Sequence, residues 1–172
     1  MSMGFKTIPR GLAGLAMAIV MLAAGEAAAK DLLGAPAPEF TLRSLAGSNL
    51  SLREQRGRVV MINFWATWCG PCRQEMPLLD QMYRRYRDMG FVLMGINVED
   101  DARKAGDMAR ALGVRYPVLF DTKKAASKAY GVSAMPTTVL LDRDGRVRYL
   151  HKGYRPGYER TYHAQIRELL KE

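Results

Sequence analysis

Ile62-Asn63-Phe64-Trp65-Ala66-Thr67-Trp68-Cys69-Gly70-Pro71-Cys72-Arg73-Gln74-Glu75-Met76-Pro77 joins two segments of different periodicity, and the junction holds both cysteines of the chain. Upstream, Val59 to Trp65 is almost unbroken apolar sequence, the pattern of a strand covered on both faces. Downstream, residues 72–87 place Met76, Leu79, Met82, Tyr83 and Tyr86 on one side of a helix that Gly90 ends. The cysteines therefore fall between a buried strand and a helix N-terminus. Thiolate is the reactive form of cysteine, and the unpaired N–H groups and positive dipole end of a helix stabilise it, so Cys69 is expected to be acidic. Cys72, one turn further in, is expected to be the less exposed. The two-residue spacing lets the second sulfur reach a mixed disulfide on the first. As a structural staple the pair would contribute little, because the entropic gain grows with the length of the loop closed.

Outward from this junction, Phe91 to Val98 and Thr138 to Leu141 repeat the buried-strand character. Helix-period stretches run over about 102–112, before Gly113, and 123–130, before Gly131. Asp142-Arg143-Asp144-Gly145 is a hairpin turn signal, and Arg146 to Leu150 alternates as a half-exposed edge strand does. A last helix carries Tyr162, Ile166, Leu169 and Leu170 on one face. On the N-terminal side, Glu39 to Leu52 alternates around Gly47-Ser48-Asn49, giving a hairpin or two edge strands with Phe40, Leu42 and Leu50 inward. Asp31 to Pro38, with two prolines, suits an extended lead-in. Strands alternating with helices, then a hairpin and a helix, make an α/β sandwich with a mixed sheet.

The chain has 172 residues, 48% apolar and 25% charged, which suits one globular domain and excludes collagenous, disulfide-dense and wholly disordered classes. Residues 1–29 have the form of an export signal. Lys6 and Arg10 open it, Leu12 to Gly25 is 14 residues without charge, and Ala27-Ala28-Ala29 follows. The apolar stretch is short of the roughly 20 residues a spanning helix needs, so a cleaved leader and a domain over 30–172 are expected, with an anchor retained through residues 12–25 as the alternative. Removing the leader takes Lys6, Arg10 and Glu26, so the basic excess behind the net charge of +9 belongs to the domain. Arg84, Arg85, Arg87, Arg143, Arg146, Arg148, Lys152 and Arg155 could draw an acidic partner or an anionic membrane, against the simpler reading of a solvated face. Two cysteines and two histidines cannot build a four-ligand zinc site, and His151 and His163 read as surface or helix-face residues. Asp100-Asp101 reads as a helix cap. No nucleic-acid partner is expected, because the aromatics are absorbed by core and motif.

INFWATWCGPCRQEMP at 62–77 and YGVSAMPTTVLLDRDG at 130–145 resemble, in order and separation, the thioredoxin superfamily and within it the exported TlpA/ResA-like thiol–disulfide reductases, over roughly Pro36 to Leu170. The resemblance implies a thioredoxin-like fold with an added N-terminal β-hairpin. It also implies a dithiol of Cys69 and Cys72 with no further cofactor, and a cis Pro136 facing the pair. A substrate strand would then meet Trp68, Gly70, Pro71, Met135 and Pro136. Pro77 matches the proline that kinks the active-site helix, the alternative being a simple break. Cytosolic thioredoxins carry a buried aspartate where this chain has Asn63. Glu75 matches the acid of the exported reductases and would take the proton from Cys72, against the plainer reading of a solvated glutamate in a helix's first turn. Implied partners are a disulfide-containing client and a membrane thiol transporter of the CcdA or DsbD type, with the protein monomeric and periplasmic or otherwise extracytoplasmic. The Gly70-Pro71 dipeptide, that of strongly reducing thioredoxin, favours reduction. The rivals are a DsbE-type thioredoxin of cytochrome c maturation, which usually has glutamate where Thr137 stands, and a metallochaperone or thiol-binding module without turnover.

Overall fold

The computed structural model describes Met1 and residues 32–172; the expected leader and anchor rest on residues outside that set. Seven strands form one mixed sheet in the order β2-β1-β5-β4-β3-β6-β7. At its centre are β3 (Val59–Trp65) and β4 (Phe91–Asn97), paired in parallel and buried at every position. The 17-residue helix α1 (Gly70–Tyr86) makes the crossover between them. Chain return through α2 (Ala102–Ala111) then brings β5 (Val118–Phe120) parallel to β4. After α3 (Ala125–Ala129), β6 (Thr137–Leu141) runs antiparallel to β3, with Phe64 opposite Thr137. β7 (Val147–Lys152) pairs with β6 at one edge, its first residue also bonding to Gly34 and Ala35 of the lead-in, and α4 (Tyr158–Lys171) follows. The expected α/β architecture with a mixed sheet is the one observed.

The period-2 alternation of β3 divides the core. Val59, Met61 and Trp65 face α1, α2 and α4, packing on Met76, Leu79, Ala105, Ala109, Tyr162 and Ile166. Val60, Ile62 and Phe64 face the other layer, where Phe40 and Leu52 of the N-terminal segment and Ala126 and Tyr130 beside α3 cover them. Asn63 shares the α1–α4 face, so its amide points into the layer that carries the cysteines. This placement follows from register alone.

The N-terminal hairpin is β1 (Thr41–Ser44) and β2 (Asn49–Ser51), joined through Gly47 at φ 91°. Phe40 is buried, whereas Leu42 and Leu50, expected to point inward, are only half-buried because the hairpin sits at the sheet edge. It extends the sheet by pairing β1 antiparallel to β5. No periodicity marks β5, whose three residues follow Pro117 and are too few for a pattern; pairing on both sides makes them a strand. The first helix begins at Gly70, two residues before the apolar pattern does. Pro77 lies inside it and is no break. The helix continues for nine residues beyond, so the proline only removes the N–H that would have bonded to Arg73. Asp101 caps α2 as expected, accepting from the N–H groups of Arg103 and Lys104. Among the described residues no helix is long and apolar enough to cross a membrane.

Candidate active site

Cys69 is the N-cap of α1, in extended conformation, and its sulfur accepts from the Cys72 N–H at 3.2 Å. Pro71 in the first turn has no N–H, so it leaves no unsatisfied donor there and presets the helical φ. The two sulfurs are joined as a disulfide with Cα atoms 5.3 Å apart. Cys72 is fully buried and Cys69 retains slight exposure, 0% against 4%, the asymmetry expected of an outer and an inner sulfur. Trp68, immediately before them, is 68% exposed and stands out as an apolar side chain facing solvent beside the sulfurs. The pairing of Phe64 with Thr137 brings the start of β6 beside the end of β3. The Met135–Pro136 bond, just before β6, is cis, and Met135 packs on the cluster that contains both cysteines. Its neighbourhood is closed by the Gly153 N–H, which donates to the Pro136 carbonyl at 2.7 Å.

Glu75 is fully buried, which overturns the plainer reading of a solvated first-turn glutamate: one turn beyond Cys72 on α1, its side chain points inward. Its carboxylate accepts from Asn63 Nδ2 at 2.9 Å and from the Tyr162 hydroxyl at 3.0 Å, and Asn63 Nδ2 also donates to Thr138 Oγ1 at 2.9 Å. Burial raises the Glu75 pKa to about 7, the two donors opposing it. A carboxyl balanced near neutrality can accept or return a proton at ordinary pH. Asn63, where a thioredoxin aspartate would stand, thus keeps one acid at the site, held by an amide and a phenol.

A second carboxylate meets the loop from the other side. Glu99, two residues past β4, accepts from the Thr67 N–H at 2.6 Å, the Thr67 hydroxyl at 2.8 Å and Asn97 Nδ2 at 3.0 Å. Burial acts to raise its pKa, but the hydrogen bonds from Asn97 and Thr67 outweigh it and hold the group below the usual carboxylate range. Thr67, Asn97, Glu99, Thr138 and Tyr162 were not legible as site residues. Thr67 and Glu99 are 32 positions apart, Tyr162 and Glu75 87, and Tyr162 carried only the signal of a core residue on a helix face.

The remaining candidates lie elsewhere. Arg143 donates to the Gly57 and Leu170 carbonyls, Arg146 to Gly34, and Arg148 pairs with Glu172, so these cations tie chain segments together. His151 is bonded to Gln165 and His163 to Tyr86. Among the described residues no group of histidine, cysteine and acidic side chains is arranged to hold a metal ion.

Residues 32–166 match the family described as Redoxin. The chain belongs to the Redoxin family. Within it, the chain is 36% identical to the thiol-disulfide oxidoreductase ResA of Geobacillus thermodenitrificans over 121 residues, 70% of each protein. It is 37% identical to the thioredoxin-like protein YneN of Bacillus subtilis over 123 residues, 70% of this chain and 71% of that one. A crystal structure from Chlorobium tepidum, named as a thiol:disulfide interchange protein DsbE, superposes with a TM-score of 0.77 at 36% identity, covering 80% of this chain and 97% of that one. This Redoxin chain is thus a thiol–disulfide oxidoreductase with a thioredoxin-like fold, as its motifs imply.

Proposed function

We propose that the protein reduces disulfides of client proteins outside the cytoplasm, through a Cys69/Cys72 dithiol that needs no added cofactor. The observation that carries this reading is the asymmetry of the pair: Cys69 caps a helix N-terminus and keeps slight exposure, 4%, while Cys72 lies fully buried one turn behind. In the reduced protein the Cys69 thiolate attacks one sulfur of the client disulfide. A mixed disulfide forms, and the other client sulfur leaves as a thiol after taking up a proton. Glu75 accepts the proton of Cys72, whose thiolate attacks Cys69 Sγ; the bond from Cys69 to the client breaks, the second client sulfur leaves as a thiolate that takes up a proton from Glu75 or solvent, and the Cys69–Cys72 disulfide forms. Two electrons pass from the pair to the client. Trp68, Gly70, Pro71, Met135 and Pro136 form the surface that receives the client strand.

The product of each cycle is the oxidised pair, so an electron donor is required. In an oxidising compartment that donor is a membrane thiol transporter of the CcdA or DsbD type, the protein being delivered by its N-terminal leader and working as a monomer. Thr137 bears on the client class. It is buried and its hydroxyl is spent on the Ala134 carbonyl at 2.7 Å, so the position offers no acid to a client as the DsbE-type glutamate would. This favours a reductase of ResA kind over one of DsbE kind.

The test is trapping. Cys72→Ser should accumulate a client mixed disulfide on Cys69, visible on gels run without reductant and identified by mass spectrometry, and Cys69→Ser should accumulate none. Equal trapping by both variants would contradict the assignment.

A further inference from the structure

Glu75 has to exist in two protonation states in a site from which water is excluded, and its two oxygens have different partners. Oε2 accepts from Asn63 Nδ2, an amide nitrogen that can only donate. Oε1 accepts from the Tyr162 hydroxyl, which can donate or accept. Thr138 also lies within reach of that hydroxyl, and a threonine hydroxyl can accept as well as donate. When Glu75 is ionised, Tyr162 donates to it. When Oε1 carries the proton, the carboxyl donates and the phenol turns its own hydrogen toward Thr138 Oγ1. The phenol and Oε1 of Glu75 each keep a partner in both states, and a buried group left without one is what such a site penalises most.

We propose that Tyr162 is a positioning residue for the resolving step, a reversible hydrogen-bond partner that fixes Oε1 of Glu75 as the oxygen that takes the Cys72 proton. The proposal rests on Glu75 as the proton acceptor. It adds a residue from the far end of the chain, brought in by α4, that acts through Glu75. The packing holds its ring in place independently of the hydroxyl: His151 lies edge-on at 5.1 Å and Tyr158 at 6.3 Å between centroids. Other ionisable groups facing Glu75 are Cys72 on its own helix, Tyr116 from the segment before β5, and Tyr154 between β7 and α4. Both tyrosines are held above the ordinary phenol range by burial first and by the nearby carboxylates next, so at neutral pH they stay uncharged. Asn63 on β3 and Thr138 on β6 are neutral throughout. With the cysteines joined as a disulfide, Glu75 is therefore the group that titrates here near pH 7.

Stopped-flow mixing of the reduced full-length protein with a chromogenic aromatic disulfide separates the steps. The first thiolate released reports attack by Cys69, and the second reports resolution by Cys72. Tyr162→Phe keeps the ring and removes the donor to the ionised carboxylate. The midpoint of the pH profile of the second phase should move up by about one pH unit, the first phase being unchanged. Thr138→Val removes the acceptor needed by the protonated state, and its midpoint should move down. Opposite shifts distinguish this exchange from general loosening, which would admit water and lower both midpoints. An unmoved or lowered midpoint in Tyr162→Phe, with Glu75→Gln abolishing the profile, overturns the role of Tyr162 and leaves that of Glu75 intact. A wild-type profile in Glu75→Gln overturns both. Should Tyr162→Phe fold poorly, 3-fluorotyrosine placed at position 162, a more acidic donor of nearly the same shape, decides: the midpoint of the second phase should move down with the first phase unchanged, and an unmoved midpoint overturns the proposal.

Discussion

Two glutamates flank the cysteine loop, and their environments push them in opposite directions. Behind Cys72, Glu75 is fully buried with two donors, and burial wins. Before Cys69, Glu99 is half-buried with three donors, and the hydrogen bonds win. The same side chain is thus a proton carrier on one side of the loop and a fixed negative clamp on the other. What separates them is the balance between water lost and donors gained. The clamp holds the turn from which Cys69 is presented; the carrier serves the step in which Cys72 must lose its proton.

If that division holds, removing the carrier should affect rate far more than removing the clamp. Glu75→Gln is expected to slow resolution about 10²-fold at neutral pH, the usual scale of a positioned general base, while attack by Cys69 stays within a few-fold. Rapid-mixing kinetics with separate phases would check it. A uniform slowing of both phases would break the comparison.

The two acids should also give stability slopes of opposite sign. The folded pKa of Glu75 is raised from 4.5 to about 7, so the stability tied to its neutral form is fully present below about pH 4.5 and is lost as pH rises through 7. Relative to Glu75→Gln, the oxidised wild type should lose up to about 3 kcal/mol across that window in denaturant titrations. Glu99 has a depressed folded pKa, so its contribution is present above the unfolded value and disappears as pH falls through the folded one. Glu99→Gln places an NH₂ group among donors and should cost about 1–2 kcal/mol near neutral pH, with a smaller penalty in acid. Parallel slopes for the two variants would remove the distinction. The smallest stability change is expected at Trp68, which is 68% exposed: Trp68→Ala should move stability by no more than about 0.5 kcal/mol while lowering kcat/KM for protein disulfides.

The same contrast explains what was legible in the sequence. The cysteine junction, the central strands, α1, the terminal hairpin and its turn could be read, because each is signalled by local periodicity or by glycine and proline at a boundary. Glu75 could be singled out by its place after Cys72, but its burial depended on where α4 docks. β5 could not be read because three residues carry no period, and it exists through pairing with β1 and β4. Glu99 and Tyr162 look like an ordinary loop acid and an ordinary core aromatic. Their roles come from contacts across 32 and 87 positions of chain, which no local pattern encodes. The basic residues carry a signal of another kind: Arg143, Arg146 and Arg148, read as part of a solvated or partner-facing basic surface, also bond to the protein's own carbonyls and to the Glu172 carboxylate.

The most direct measurement is a carboxyl-carbon NMR titration of the oxidised protein labelled at glutamate, with Glu75→Gln and Glu99→Gln assigning the two signals. One carboxyl is expected to titrate near pH 7 and to vanish in Glu75→Gln, and one to titrate below the usual range and to vanish in Glu99→Gln. Both signals titrating together in the ordinary glutamate range would contradict that expectation.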